Sequence, residues 1–136
     1  MTQAYELAKK AYKKGEVPVG CIIVKENKII AKAYNNKENR NNPLGHAEII
    51  AITKATKKIK NWRLDECDIY VTLQPCNMCF FALKESRIKK IYYGAKDNKQ
   101  SLDYLKKTDE RLLENMKYMP HKLSSQIIKK FFKSKR

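Results

Sequence analysis

Two short motifs, His46-Ala47-Glu48 and Pro75-Cys76-Asn77-Met78-Cys79, constrain this chain more than any other feature. Each stands where a helical pattern begins. From Ala47 onward, Ala47, Ile50, Ala51, Ala55 and Ile59 recur at the spacing of one helix face. Pro75 breaks the apolar run from Asp68 to Leu73 and starts a second helix that reaches about Glu85. Cysteines three positions apart lie on one face of a helical turn. Neighbouring strand–helix units of a parallel sheet bring their helix N-termini to the same sheet edge. One imidazole and two thiols can therefore converge, provided that the chain builds a layered α/β domain.

The remaining pattern agrees with such a domain. Ala4, Leu7, Ala8, Ala11 and Tyr12 predict a helix over Ala4 to Lys14 that stops at Gly15. The β-branched runs Val17 to Val24 and Lys28 to Tyr34 predict a hairpin around Glu26-Asn27-Lys28. Asn35 to Gly45 is polar and reads as a loop. Ile88 to Tyr93 predicts a strand, and Ser101 to Lys106 a short helix. Thr108 to Met119 fits either a helix throughout or a helix followed by a short strand. Ser124 to Lys135 predicts a terminal helix capped by Ser124 or Ser125. No repeat or Gly/Ser-rich joint interrupts the sequence, so a single domain over residues 1–136 is expected.

Zinc is a suitable occupant for such a convergence. It binds thiolates and imidazole, and a helix N-terminus lowers thiol pKa values. Three protein ligands leave a fourth position for water, whereas a closed structural site usually has four. A carboxylate beside that water can take its proton and return it to a leaving amine. Glu48 can serve only if His46 sits at or before the first helical turn, because residues two apart within a helix diverge. The alternatives are a redox pair at Cys76 and Cys79, or a structural site completed by Cys21, Cys67 or His121. Cys21 and Cys67 also suit small buried positions, and His121 a surface one.

The formal net charge of +16 attracts polyanions, of which nucleic acid is the usual one. A lysine-rich solvated surface set by codon bias accounts for the charge equally well. No apolar run approaches the ~20 residues that span a bilayer. Met1 to Lys14 lacks the apolar stretch of a secretory signal, so a cytoplasmic location is expected.

His-x-Glu followed by Pro-Cys-x-x-Cys is the signature of the zinc-dependent nucleobase deaminases, and the chain is identified by it as resembling that superfamily. It is most similar to the bacterial tRNA adenosine deaminases, which convert the wobble adenosine to inosine. The similarity covers most of the chain. It runs through Gly15-Glu16-Val17-Pro18-Val19-Gly20, Asn35, His46-Ala47-Glu48-Ile49, Trp62-Arg63-Leu64 and Tyr70-Val71-Thr72-Leu73. It continues in Pro75-Cys76, Met78-Cys79, Ser86-Arg87-Ile88, Tyr93-Gly94-Ala95 and Phe131-Phe132. The resemblance implies a three-layer α/β/α cytidine-deaminase-like domain with a central mixed five-stranded sheet.

It also implies one zinc ion per subunit on His46, Cys76 and Cys79, and hydrolytic attack by zinc-bound hydroxide with Glu48 as proton shuttle. Asn35 would hydrogen-bond the flipped base or its ribose. Asp97, Lys99, Phe132 and Arg136 would contact the tRNA anticodon loop, and a homodimer partner would complete the RNA site. The chain departs from the family in three places. Gln74 stands where glutamate is usual, the loop after Ala95 is short, and Phe80-Phe81 replaces small residues. Two other functions fit the motifs: deamination of a free base or nucleoside of guanine or cytosine type, and a non-catalytic zinc-stabilised RNA-binding module. The first needs no basic RNA track, and the second needs a coordinatively closed metal.

Overall fold

The β-branched runs pair into the centre of a five-stranded sheet in this computed structural model, which describes residues 1–97, 102 and 104–135. Helix α1 (Thr2–Lys13) leads into the hairpin β1 (Gly20–Lys25) and β2 (Lys28–Tyr34). Then follow α2 (Ala47–Ile59), β3 (Cys67–Val71), α3 (Asn77–Glu85) and β4 (Lys90–Tyr93). A short α4 (Tyr104–Thr108), a 3-10 turn (Glu110–Leu113), β5 (Met116–Tyr118) and α5 (Lys122–Ser134) complete the order. The sheet order is β2-β1-β3-β4-β5. β1 is antiparallel to β2 and β3, whereas β3, β4 and β5 run parallel.

Side-chain alternation along β1 divides the molecule into layers. Cys21 and Ile23 face one way and, with Ala31 and Ala33 of β2, meet Ala47, Ala51 and Ala55 of α2 in the main core. Phe80 and Leu83 of α3 join the same core. Gly20 faces the other way. A Cβ there would lie 2.5 Å from Ala8 N and 2.7 Å from Leu7 Cβ, so only glycine lets α1 lie this close to the sheet. α5 packs on α1 rather than on α2, with Phe131 edge-on to Tyr12 at 6.2 Å. The result is the α/β/α sandwich with a mixed sheet that the resemblance implies.

Several boundaries differ from the sequence reading. β1 starts at Gly20, not Val17, because Pro18 has no N–H to offer a ladder and Val19 N–H turns back to Val17 O at 2.8 Å. The hairpin turn is two residues, Glu26 and Asn27, both at positive φ (51° and 63°), so Lys28 already belongs to β2. β3 ends at Val71 rather than Leu73, and β4 begins at Lys90 rather than Ile88. The first helix of the Thr108 to Met119 stretch is a 3-10 turn, and β5 follows it. α4 starts at Tyr104, and Ser101 lies outside the described residues. α5 is capped by His121, not by Ser124 or Ser125. Its Nδ1 accepts the Ser124 N–H at 3.3 Å, which frees the buried Ser124 to enter the first turn.

Candidate active site

The two motifs meet because β2 and β3, both antiparallel to the β1 strand between them, run the same way and carry their following segments to one edge of the sheet. His46 is the N-cap of α2, with extended backbone (φ −80°, ψ 145°). Cys76 is the N-cap of α3, also extended (φ −70°, ψ 173°). This corrects the expected helix start: Pro75 lies outside the helix, and α3 begins at Asn77. An extended N-cap swings its side chain off the helix surface. His46 therefore does not share the divergence that would separate it from Glu48 within a helix, and Cys76 turns toward Cys79 in the first turn of α3.

His46 Nδ1 lies 3.7 Å from Cys76 Sγ and 3.5 Å from Cys79 Sγ. The three donor atoms all fall within 4.8 Å of one another. A tetrahedral zinc with Zn–S of ~2.3 Å and Zn–N of ~2.0–2.1 Å separates sulfur from nitrogen by roughly 3.6 Å. The donor set and its edges thus fit that ion. Among the described residues no fourth His, Cys or carboxylate atom joins the group. Cys21 and Cys67 are fully buried free thiols, and His121 caps α5 beside the Tyr5 ring. None of the three completes a closed site.

The protonation states follow from this crowding. The Cys79 thiol, then the His46 ring, hold Cys76 down to about 4, although burial opposes them. Cys79 is pushed up, chiefly because its thiol is the donor that supports the Cys76 thiolate and because it is buried. His46 is raised, first by its contact with Cys76. The Cys76 thiolate is thus held by the Cys79 thiol and the His46 ring, the same two groups that would join it on a thiophilic cation. Glu48, in the first turn of α2, is only 4% exposed and is pushed up to about 7, mainly by burial.

His46, Glu48 and Cys76 line a cavity of about 1190 Å³, and Cys79 is fully buried beside them. Val17, Val19 and Leu73 give it apolar walls, and α5 supplies Lys129, Phe132 and Lys133. Asn35 stands where β2 passes into the loop. Its N–H donates to Val19 O at 3.0 Å, and its Oδ1 accepts the first N–H of α2, from Ala47, at 2.7 Å. The oxygen is fixed, and the Nδ2 group is the end left to donate. Asp97 and Phe132 also line the cavity. Phe131 buries on α1 while its neighbour Phe132 is 41% exposed. Gln74 Oε1 accepts the Asp97 N–H at 3.4 Å, and Gln74 N–H donates to Ala95 O at 2.8 Å. The amide thus ties the segment before α3 to the segment after β4. Lys99 and Arg136 lie outside the described residues.

Sequence reasoning quoted Glu16 within the similar stretch but gave it no role. It is 1% exposed and lines the cavity. It accepts Glu38 N–H at 3.0 Å and Asn39 N–H at 2.8 Å, and the Asn39 side-chain amide as well. Burial alone would raise its pKa, but these N–H groups, with that of Lys37, outweigh it and hold the carboxyl below the usual range. Glu16 thereby pins the loop that follows Asn35. Gly45 closes the same loop: a Cβ there would lie 2.8 Å from both Asn36 O and Lys37 Cα. The available signal was an acid between Gly15 and Val17, set between the end of the expected helix and the start of the expected apolar strand.

The MafB19-like deaminase family matches residues 1–136, the whole chain. A tRNA-specific adenosine deaminase of Aquifex aeolicus (strain VF5) is 42% identical over 95% of this chain and 89% of its own length. A solved structure from work on A-to-I editing by tRNA:A34 deaminases at the wobble position of transfer RNA is 39% identical. It superposes with a TM-score of 0.72 over 74% of this chain and 78% of that one. A guanine deaminase structure from Bacillus subtilis is 29% identical, with a TM-score of 0.69, over 98% and 90% of the two chains.

Proposed function

Since the chain belongs to the MafB19-like deaminases and, within them, to the tRNA-specific adenosine deaminases, we propose that it converts adenosine to inosine at the wobble position of tRNA. Water and adenosine go in; inosine and ammonia come out. The observation that carries this is the meeting of His46, Cys76 and Cys79 beside a buried Glu48 at the wall of one cavity. Those three residues hold one zinc ion per chain. When bound, zinc supplies a Lewis acid that makes water acidic enough to react near neutral pH.

The chain's own groups then divide the work. The Glu48 carboxylate takes the proton of the attacking water and delivers it to the departing amine of adenine C6. A carboxyl raised to about 7 passes a proton in either direction at neutral pH. Asn35, its oxygen held by α2, donates from Nδ2 to an acceptor on the base or ribose. Val17, Val19 and Leu73 exclude water from the flat base. A loop base is already unpaired, so extruding it costs less than opening a duplex. Phe132 offers an aromatic face for a neighbouring nucleotide, and Asp97, Lys99 and Arg136 complete the contacts to the anticodon loop.

The active form is a homodimer. Met78 and Phe81, one turn apart on α3, expose 36% and 44% of their surfaces, an apolar strip suited to a second copy. Among the described residues no helix is long and apolar enough to cross a membrane. A tRNA substrate places the enzyme's work in the cytoplasm.

The test is an anticodon stem-loop carrying adenosine at the wobble position and at other loop positions, with inosine mapped after incubation with zinc-loaded protein. Inosine at the wobble position alone, lost in Glu48→Ala, is expected. Inosine scattered over the loop would overturn the assignment. The likeness to a guanine deaminase favours one second function, deamination of free guanine, which requires no RNA.

A further inference from the structure

On the far side of α5 from the catalytic cavity, a second hollow of about 280 Å³ lies between α1 and α5. Its cations are Lys9 and Lys13 of α1 and Lys130 of α5. Lys9 and Lys13 are one turn apart, about 6 Å along the helix axis. Lys129 and Lys133 line the catalytic cavity, whereas Lys130 lines this hollow. α5 is therefore a basic ridge with one hollow on each flank.

The charge is local as well as global. The helix α1 carries three lysines and a single acid, Glu6, and α5 carries four lysines and no acid. The whole sequence has 14 acids for 30 basic residues, so these two helices hold far less than their share of negative charge. Among the described residues, Lys9 alone of the three is ion-paired, to Glu6 at 2.9 Å on the exposed surface, where such a pair is worth little.

We propose that the hollow between α1 and α5 grips the phosphodiester backbone of the double-helical stem adjoining the loop held in the catalytic cavity, which rests on the tRNA deaminase function above. The aromatic rings inside it are already in use. Lys9 lies 5.4 Å from the Tyr5 centroid and Lys130 lies 5.5 Å from that of Tyr12, whose edge also meets Phe131. Each ring thus has a cation against it, and the three lysines suit the hollow to phosphate and ribose hydroxyls. A-form RNA stems are recognised through those groups. A lipid surface fits less well, because Ile127 of the lining is buried and Leu123 alone is an exposed aliphatic side chain there, too little apolar surface beside three lysines to enter a bilayer.

The triple variant Lys9→Gln/Lys13→Gln/Lys130→Gln tests this by RNA affinity as a function of salt. Two ligands are compared: an anticodon stem-loop, and a single strand with the loop sequence and no stem. Each lost phosphate contact removes about 0.9 from the slope of log affinity against log salt for a duplex. The triple variant is expected to lose roughly 2–3 from the slope with the stem-loop, to bind it at least tenfold more weakly near 0.1 M salt, and to bind the stemless strand as the parent does. The Lys→Arg triple should retain the parent's slope. An unchanged slope with the stem-loop, or an equal loss with the stemless strand, would overturn the proposal. So would a loss of binding only to vesicles of anionic lipid. The slopes are binding measurements, so they decide the matter even if the parent bound RNA and formed no inosine, a result that would count against the deaminase function alone.

Discussion

Glu48 and Glu16 are both buried carboxylates, yet their surroundings push them in opposite directions. Glu48 has burial as its main influence and rises to about 7, where it can carry a proton. Replacing it with glutamine should leave zinc content unchanged and lower kcat by about 10²–10⁴, the usual worth of a positioned acid–base group. Glu16 has its burial outweighed by loop N–H groups and stays charged. Its folded pKa lies below its unfolded value, near 4.5. The stability it contributes is therefore complete above about pH 4.5 and is lost as pH falls through the folded pKa. Glu16→Gln turns an amide donor toward the Asn39 N–H groups and should cost about 1–3 kcal/mol. The variant should flatten the acid limb of the stability profile and speed hydrogen exchange at the Glu38 and Asn39 amides. Of these two residues only Glu48 had a legible role in the sequence, because its motif names its chemistry. Glu16 acts on backbone groups from a distant loop, and nothing in its own neighbourhood announces them.

At the scale of elements, the helices and strands were legible where apolar spacing is regular. α2 occupies Ala47–Ile59, the span its pattern predicts. The boundaries that moved are set by hydrogen-bond partners remote in sequence. β1 is held at its start by Thr72, whose Oγ1 accepts Gly20 N–H at 3.1 Å. α5 begins early because an imidazole, not a serine, supplies the cap. The position of α1 rests on Gly20. Its replacement by alanine would set a methyl group against backbone atoms of α1, which cannot turn aside as a side chain can. We expect a loss of about 1–3 kcal/mol, read as a lower midpoint of thermal unfolding, with zinc binding unaffected. Retention of the parent's midpoint would show that α1 has room to shift.

For the whole molecule, the sandwich matters because it brings two helix N-termini to one cavity. The fold class and the donor triad could be read from sequence because ligand chemistry restricts both residue type and spacing. The cavity wall could not, because α5 reaches it by packing on α1 and through the His121 N–H that donates to Gly94 O at 2.8 Å, contacts with no local pattern. Metal and fold should also be coupled. A chelator is expected to remove one zinc per chain, abolish turnover and lower the thermal midpoint, since an ion that binds only the folded chain stabilises it. His46→Ala should reproduce that state without a chelator. The most direct test of the central claim offers the zinc-loaded protein an anticodon stem-loop and free guanine in parallel, and follows inosine and ammonia. Inosine from the RNA with no ammonia from guanine is the predicted result. Ammonia from guanine with no inosine from the RNA would contradict it and assign the same metal site to a free base.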